Sequence, residues 1–217
     1  DYITYILPVL SKLNIEKHFD LLINLSLRNC ELNSVYLNDF LGNLNLNERD
    51  YLWTIYINNR FDEGGLIYNL VNFAFKYDLS KFKEDDLWNY LLLLGQFLSS
   101  TDRELRDKAS KAITLILIYR NKLIIPILDT FLNNIDPYVV SRIMGCCYGA
   151  VLNIEINNIN KEFFTQVANY VFEKVFNDDL VYQDILFRDY SFNIIDSLRR
   201  RGIEIKFDFN KCKPPYK

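Results

Sequence analysis

Apolar residues recur along this chain three and four positions apart, in blocks separated by short polar turns. That is the period of amphipathic helices, not of strands. Phe19, Leu22, Ile23 and Leu27 mark one stripe between residues 16 and 27, and a short helix is predicted over 34–41. Longer ones are predicted over 47–61, 63–77 and 84–100. The last, 84-EDDLWNYLLLLGQFLSS-100, is apolar almost all round, which predicts central burial. The opening segment, 2-YITYILPVLSKL-13, is broken by Pro8 and resists assignment.

The helix starts are legible as chemistry. Asn47 reads as the N-cap of 47-NERDYLWTIYINNRF-61. In 101-TDRELRDKASKAI-113 the spacing Thr101-x-x-Glu104 reads as a capping box, with Glu104–Lys108 and Asp107–Lys111 pairs on the wet face. Leu105, Ala109, Ala112, Ile113, Ile116 and Leu117 form the dry face. Asp136 reads as an N-cap with Pro137 at the first helical position. Asp184 opens a helix with a stripe of Leu186, Tyr190, Ile194 and Leu198, stopped by Gly202. These starts, Asp102, Asp136 and Asp184, lie 34 and 48 residues apart, with partner helices predicted near 123–133 and 161–176.

Helix pairs at that period predict an all-α fold, an α-solenoid of antiparallel pairs of HEAT or TPR type. The organisation expected is a helical lead-in over 1–30, repeats over 31–202 and a basic tail over 203–217. Within the tail, 203-IEIKFDFN-210 alternates with strand period and predicts one short extended segment.

Composition narrows the function. Half the residues are apolar and 15% aromatic, which excludes disorder. A net charge of −3 gives no global basic field for nucleic acid, although the tail concentrates Arg199, Arg200, Arg201, Lys206, Lys211, Lys213 and Lys217. A weak nucleic-acid-binding array using that tail is the alternative it leaves open. Cys30, Cys146, Cys147 and Cys212 have no metal-ligand spacing and read as reduced thiols of a cytoplasmic protein. The 24 asparagines read as the bias of an A+T-rich genome. No apolar run approaches the ~18–20 residues that span a bilayer, so no membrane is expected. A start at Asp1 without Met reads as an excised piece of something longer.

Catalytic chemistry is absent from the pattern. Gly64-Gly65 is followed by Leu66-Ile67 and lacks the lysine of a phosphate loop. His18 has no partner motif and reads as a half-buried helix residue. Glu84-Asp85-Asp86 reads as a helix start favoured by the helix dipole, and 145-GCCYGA-150 as a site of close helix packing. The expectation is a non-enzymatic segment without catalytic residues, metal or cofactor.

Two resemblances sharpen this. Asp102, Leu105, Arg106 and Ala109 look like the second-helix start of a HEAT repeat, in which Asp and Arg link neighbouring repeats. Asp136 with Arg142, and Asp184 with Arg188 and Asp189, are degenerate copies. Further, 49-RDYLWTIYI-57, 98-LSSTDRELRDKASKAI-113, 136-DPYVVSRIMGCCYGAVL-152, 182-YQDILFRDYSFNII-195 and 213-KPPYK-217 resemble, in order, the helical C-terminal region of antiviral STAND NTPases, the Avs defence proteins of bacteria and archaea. Ser110, Ser141, Ser191 and Cys147 depart from the pattern.

That resemblance implies a sensor segment in a bacterial or archaeal cytoplasm. ATP and Mg would belong to the parent protein's ATPase, and an effector would lie elsewhere in it. The implied partners are a phage structural or packaging protein, of terminase or portal class, and the rest of the parent chain. Binding would release the ATPase to oligomerise. A general HEAT-like scaffold unrelated to defence is the alternative. Asp102, Leu105, Arg106, Ala109, Asp136, Arg142, Arg188 and Asp189 are expected to hold repeats together, while Trp53, Tyr56, Arg60, Trp88 and Tyr138 are the first candidates for partner contact, most of them expected to be buried.

Overall fold

The computed structural model describes residues 2–133, 136–177 and 183–214. Every regular element among them is helical, so the chain is all-α. It divides into two compact units, Asp1–Ala112 and Ile113–Lys217.

The first unit holds α1 (Tyr2–Leu13), α2 (Ile15–Leu25) and α3 (Ser34–Gly42). Next, α4 (Leu46–Arg49) runs through a π turn (Asp50–Thr54) into α5 (Ile55–Asn59), making one rod. Then come α6 (Leu66–Lys76), α7 (Glu84–Phe97) and the first residues of α8 (Arg103–Tyr119). α1 is continuous through Pro8. α2 packs on α1 and α3, and α3 packs on α7. α7 is buried from Leu87 to Phe97 save for half-buried Trp88, as its unbroken apolar run predicts. The core is aromatic: Phe19 meets Trp53 edge-on at 5.2 Å between ring centroids, and Trp53 stacks on Phe97 at 6.1 Å.

The second unit holds the end of α8, then α9 (Ile124–Leu132), α10 (Pro137–Asn153), α11 (Lys161–Val175) and α12 (Ile185–Arg200). α10 packs on α9 and α12, and α11 packs on α9 and α12. The small residues of α10 are where the helices come closest. A Cβ at Gly145 would lie 3.1 Å from the Tyr190 ring, and one at Gly149 would lie 3.3 Å from Thr114. Gly202 ends α12 in the left-handed region, at φ +83°, as its position predicts.

Several starts differ from the sequence expectation. The cap of α4 is Asn45, not Asn47: its side chain accepts from the Glu48 N–H while Glu48 accepts from the Asn45 N–H. A capping box is satisfied only at that spacing. α8 is capped by Asp102, whose carboxylate accepts from the Leu105 N–H at 2.9 Å. Thr101, the expected cap, instead accepts from the Asn58 amide at 2.6 Å. Glu104 pairs with Lys108 as predicted, and Asp107 pairs with Arg103. Asp136 and Asp184 cap α10 and α12 as expected. Of the predicted α12 stripe Ile194 and Leu198 are buried, but Leu186 is exposed and Tyr190 half-buried, their places on the buried face taken by Phe187 and Ser191, with Ile195 and Asp196 beside them. Asn14, Asn33 and Asn45 all cap helices, a physical use for part of the asparagine excess.

No strand ladder forms among the described residues. Residues 203–208 are irregular and 209–212 form a 3-10 turn. The alternation nevertheless acts. Ile203 is buried, Phe207 stacks on Phe172 of α11 at 3.9 Å, and Phe209 stacks on Phe192 of α12 at 5.6 Å. Glu204, Lys206, Asp208 and Asn210 face outward. The tail is an apolar-side-in strap on the last two helices.

Candidate functional site

The densest side-chain hydrogen bonding joins the rod, the end of α7 and the start of α8. Trp53 donates its indole N–H to the Gln96 carbonyl at 3.0 Å, and the Gln96 amide donates to Asn38 of α3 at 2.8 Å. Thr54 bonds Asp50 at 3.3 Å and Ser99 at 3.4 Å. Asn58 accepts from Ser100 and donates to Thr101. Ser100 in turn accepts from the Asp102 N–H, and its carbonyl takes a 2.7 Å bond from the Arg106 guanidinium. Two stretches singled out in the sequence, 49–57 and 98–113, therefore touch through Thr54 and Ser99, with Gln96 and Asn58, just outside them, extending the junction on either side. The polar opening of α8 is polar because it seals this junction as well as capping a helix.

Each residue named from sequence can now be placed. Leu105 and Ala109 are buried in the helix interface and Asp136 is a cap. Arg142 donates from Nε to the Tyr138 hydroxyl at 3.0 Å on the same helix. Arg188 is half-buried, and Asp189 is exposed with its carbonyl accepting from Asn193. Of the candidate contact residues, Trp53 and Tyr56 belong to the core and Trp88 is half-buried. Arg60 and Tyr138 are exposed. As expected of most of these candidates, Trp53 and Tyr56 fill the interior, where their area stabilises most.

A polar arrangement missed in the sequence occurs twice. In the first unit the Tyr56 hydroxyl donates to Asp20 of α2 at 2.7 Å, Arg60 pairs with the same carboxylate at 3.3 Å, and its guanidinium sits 5.7 Å from the Tyr56 ring centre. In the second, the Tyr170 hydroxyl donates to Asp129 of α9 at 2.9 Å, Lys174 pairs with it at 3.8 Å, and its ammonium sits 5.6 Å from the Tyr170 ring centre. Both phenols are held well above their ordinary range, first by burial and then by the carboxylate each is bonded to. The signal available was Tyr-x-x-x-Arg/Lys, which says nothing about the aspartate.

The basic tail is less free than its composition suggests. Arg199 and Arg200 both pair with Asp196, at 3.0 and 2.6 Å. Arg201 donates to the Val151 and Ile154 carbonyls at the end of α10. Arg199 and Lys213 flank the Phe209 ring at 4.5 and 4.8 Å. Lys217 lies outside the described residues.

His18 is only 1% exposed, packed 4.9 Å from the Phe40 ring, and neither ring nitrogen has a hydrogen-bond partner. Burial lowers its pKa. The sequence expectation of a half-buried position is thus corrected to a buried one. Cys146, Cys147 and Cys212 are buried and Cys30 is exposed, all as free thiols. Burial raises the Cys147 thiol, and pushes Cys212 up to about 12, so neither is a nucleophile at neutral pH.

Among the described residues, no group of three or more His, Cys, Asp or Glu stands together as a metal site. No helix among them is long and apolar enough to cross a membrane. No family model, curated protein or solved structure matches the chain.

Proposed function

We propose that this chain is a non-catalytic protein-recognition segment, a stretch of helical repeats from the C-terminal sensor of an antiphage STAND NTPase. Its partner would be a conserved phage protein of terminase or portal class, read by the shape and surface chemistry of a folded array. The observation that carries the reading is the junction just described. Two of the five segments on which the resemblance rests lie far apart in sequence, yet meet where Thr54 donates to Ser99, flanked by a bond from Trp53 to Gln96 and one from Ser100 to Asn58, whose partners adjoin the segments. Motif residues that interlock are what a conserved repeat framework requires.

The helix contacts support stacking of antiparallel pairs. In the second unit, α9 meets α11 and α10 meets α12, while α9 meets α10 and α11 meets α12. That is the neighbour pattern of two stacked hairpins, the building principle of an α-solenoid. In the first unit α2 meets the 46–59 rod through Phe19, Trp53 and Tyr56, and α3 meets α7. These contacts are compatible with the same scheme, with α6 falling between the rod and α7 in chain order.

The test is co-purification of the tagged 217-residue chain with separately expressed phage large terminase and portal proteins, read by size exclusion at low and high salt. A complex with one of them that survives high salt supports the reading. Elution of the chain alone beside both proteins favours a general HEAT-like scaffold, and a complex with nucleic acid that dissolves steeply with salt favours the basic tail as the working surface.

A further inference from the structure

The two tyrosine clusters share one arrangement of tyrosine, aspartate and cation, although Arg60 also pairs with Glu16 and Tyr56 is the more buried of the two phenols. Each has a cation four residues after its tyrosine: Lys174 lies with Tyr170 on α11, and Arg60 caps the helix that carries Tyr56. Each takes its aspartate from an earlier helix, 36 residues before the tyrosine in one case and 41 in the other. In chain order both clusters skip one helical rod. α2 is joined to the 46–59 rod across α3, and α9 is joined to α11 across α10. The separations approach the length of one HEAT or armadillo repeat, about 40–47 residues. In both, the carboxylate accepts from the phenol and pairs with the cation, Arg60 by a 3.3 Å hydrogen bond and Lys174 by a 3.8 Å ion pair, while the cation lies near the ring.

We propose that Asp20–Tyr56–Arg60 and Asp129–Tyr170–Lys174 are two copies of one joint, each fastening the first helix of a pair to the first helix of the next pair. The joint defines a repeat that the sequence conceals, because its aspartate and tyrosine fall in different helices and no contiguous motif records them. It also fixes which helices move together. The first helix of a pair cannot slide along its successor without breaking a phenol–carboxylate bond. The phenol supplies the specificity. An exposed Arg–Asp or Lys–Asp pair contributes little by itself, whereas a hydrogen bond to a charged carboxylate from a partly buried donor contributes more. The joint does not depend on which partner the array reads, and its failure would leave the co-purification result untouched.

The experiment is a double-mutant cycle at each joint in the whole 217-residue chain, read by hydrogen exchange. Tyr170→Phe and Asp129→Ala are each expected to speed amide exchange in α9 and α11 about tenfold, and the double variant no more than either single one. Exchange in α2 and the 46–59 rod should be unchanged by these variants. Tyr56→Phe and Asp20→Ala should reproduce the pattern in α2 and the rod, with α9 and α11 unchanged. Tyrosine-to-phenylalanine changes keep the ring and so keep the fold, which guards the reading against simple collapse. Additive effects in the double variants, or coupling at one joint and not the other, would overturn the proposal.

Discussion

The indole of Trp53 donates to the main-chain carbonyl of Gln96 across 43 residues of sequence, at 3.0 Å, with its ring stacked on Phe97. One side chain thereby fixes both the depth and the rotation of the 46–59 rod against α7. The carbonyl it uses also accepts from the Ser99 hydroxyl, so the end of α7 is held from two sides.

Truncating that side chain is expected to be costly. Trp53→Ala removes a fully buried indole and a hydrogen bond together, and about 3–5 kcal/mol of stability should go with them. Trp53→Phe should lose less, since the ring stack on Phe97 survives. Urea denaturation followed by circular dichroism reads both, and equal losses for the two variants would show that packing, not the whole indole, is unimportant there.

The two caps proposed for α8 make opposite predictions. Asp102→Ala should cost about 1 kcal/mol as a lost N-cap, and Asp102→Asn only a few tenths. Thr101→Ala breaks the bond to Asn58 instead, and its effect should vanish when Asn58 is already alanine. A thermal melt of the five variants, Asn58→Ala and its double with Thr101→Ala included, separates the roles.

His18 makes stability fall with acid. Its folded pKa is below the ordinary 6.5, so the unfolded chain binds the proton more readily. The stability of the neutral buried ring is therefore fully present above 6.5 and is lost as pH drops through that value toward the folded pKa. His18→Phe should remove this component. The urea midpoint at pH 7.5 and 5.5 measures it, and an unchanged difference between the two pH values in the variant would contradict the assignment.

The two glycines of α10 should respond differently to alanine. At Gly145 a methyl would meet the Tyr190 ring at 3.1 Å, and overpacking of that kind costs about 1–3 kcal/mol. At Gly149 the near neighbour is one methyl of Thr114 at 3.3 Å, and the helix gains about 1 kcal/mol of propensity from alanine. Gly149→Ala is expected to be close to neutral, and combining Gly145→Ala with Tyr190→Leu should recover much of the loss. Chemical denaturation of the three variants decides.

Much of the fold was legible because helix period and capping chemistry are local. Asp136, Pro137, Asp184 and Gly202 each sit where a local rule puts them. The misses have physical causes too. Asn45 and Asn47 are both good caps, and only the position of Glu48 three residues after Asn45 selects between them. Thr101 and Asp102 compete in the same way, and Asn58, remote in sequence, settles it. Aromatic residues carry no label saying whether they face a partner or a core, which is why Trp53 and Tyr56 were named as contact candidates even as most of that set was expected to be buried, as these two are. The tyrosine joints were invisible because two of their members are close in sequence and the third is a repeat away.

The π turn at Asp50–Thr54 has a consequence for how relatives of this chain would be compared. A π turn accommodates one residue more than the α-helical turn it replaces. Trp53, Thr54, Tyr56 and Ile57 are buried along this short rod. A relative that lacks the turn would carry one residue fewer there and present the same surfaces. An ungapped comparison would then set every position after Thr54 out of phase by one, pairing Tyr56 with a neighbour that has never touched an aspartate. Deleting one residue between Asp50 and Thr54 would be a structurally mild step in evolution if the rod relaxed to α, and a severe one if it kept its pitch, because Arg60 would then be carried about 100° round the helix from Asp20.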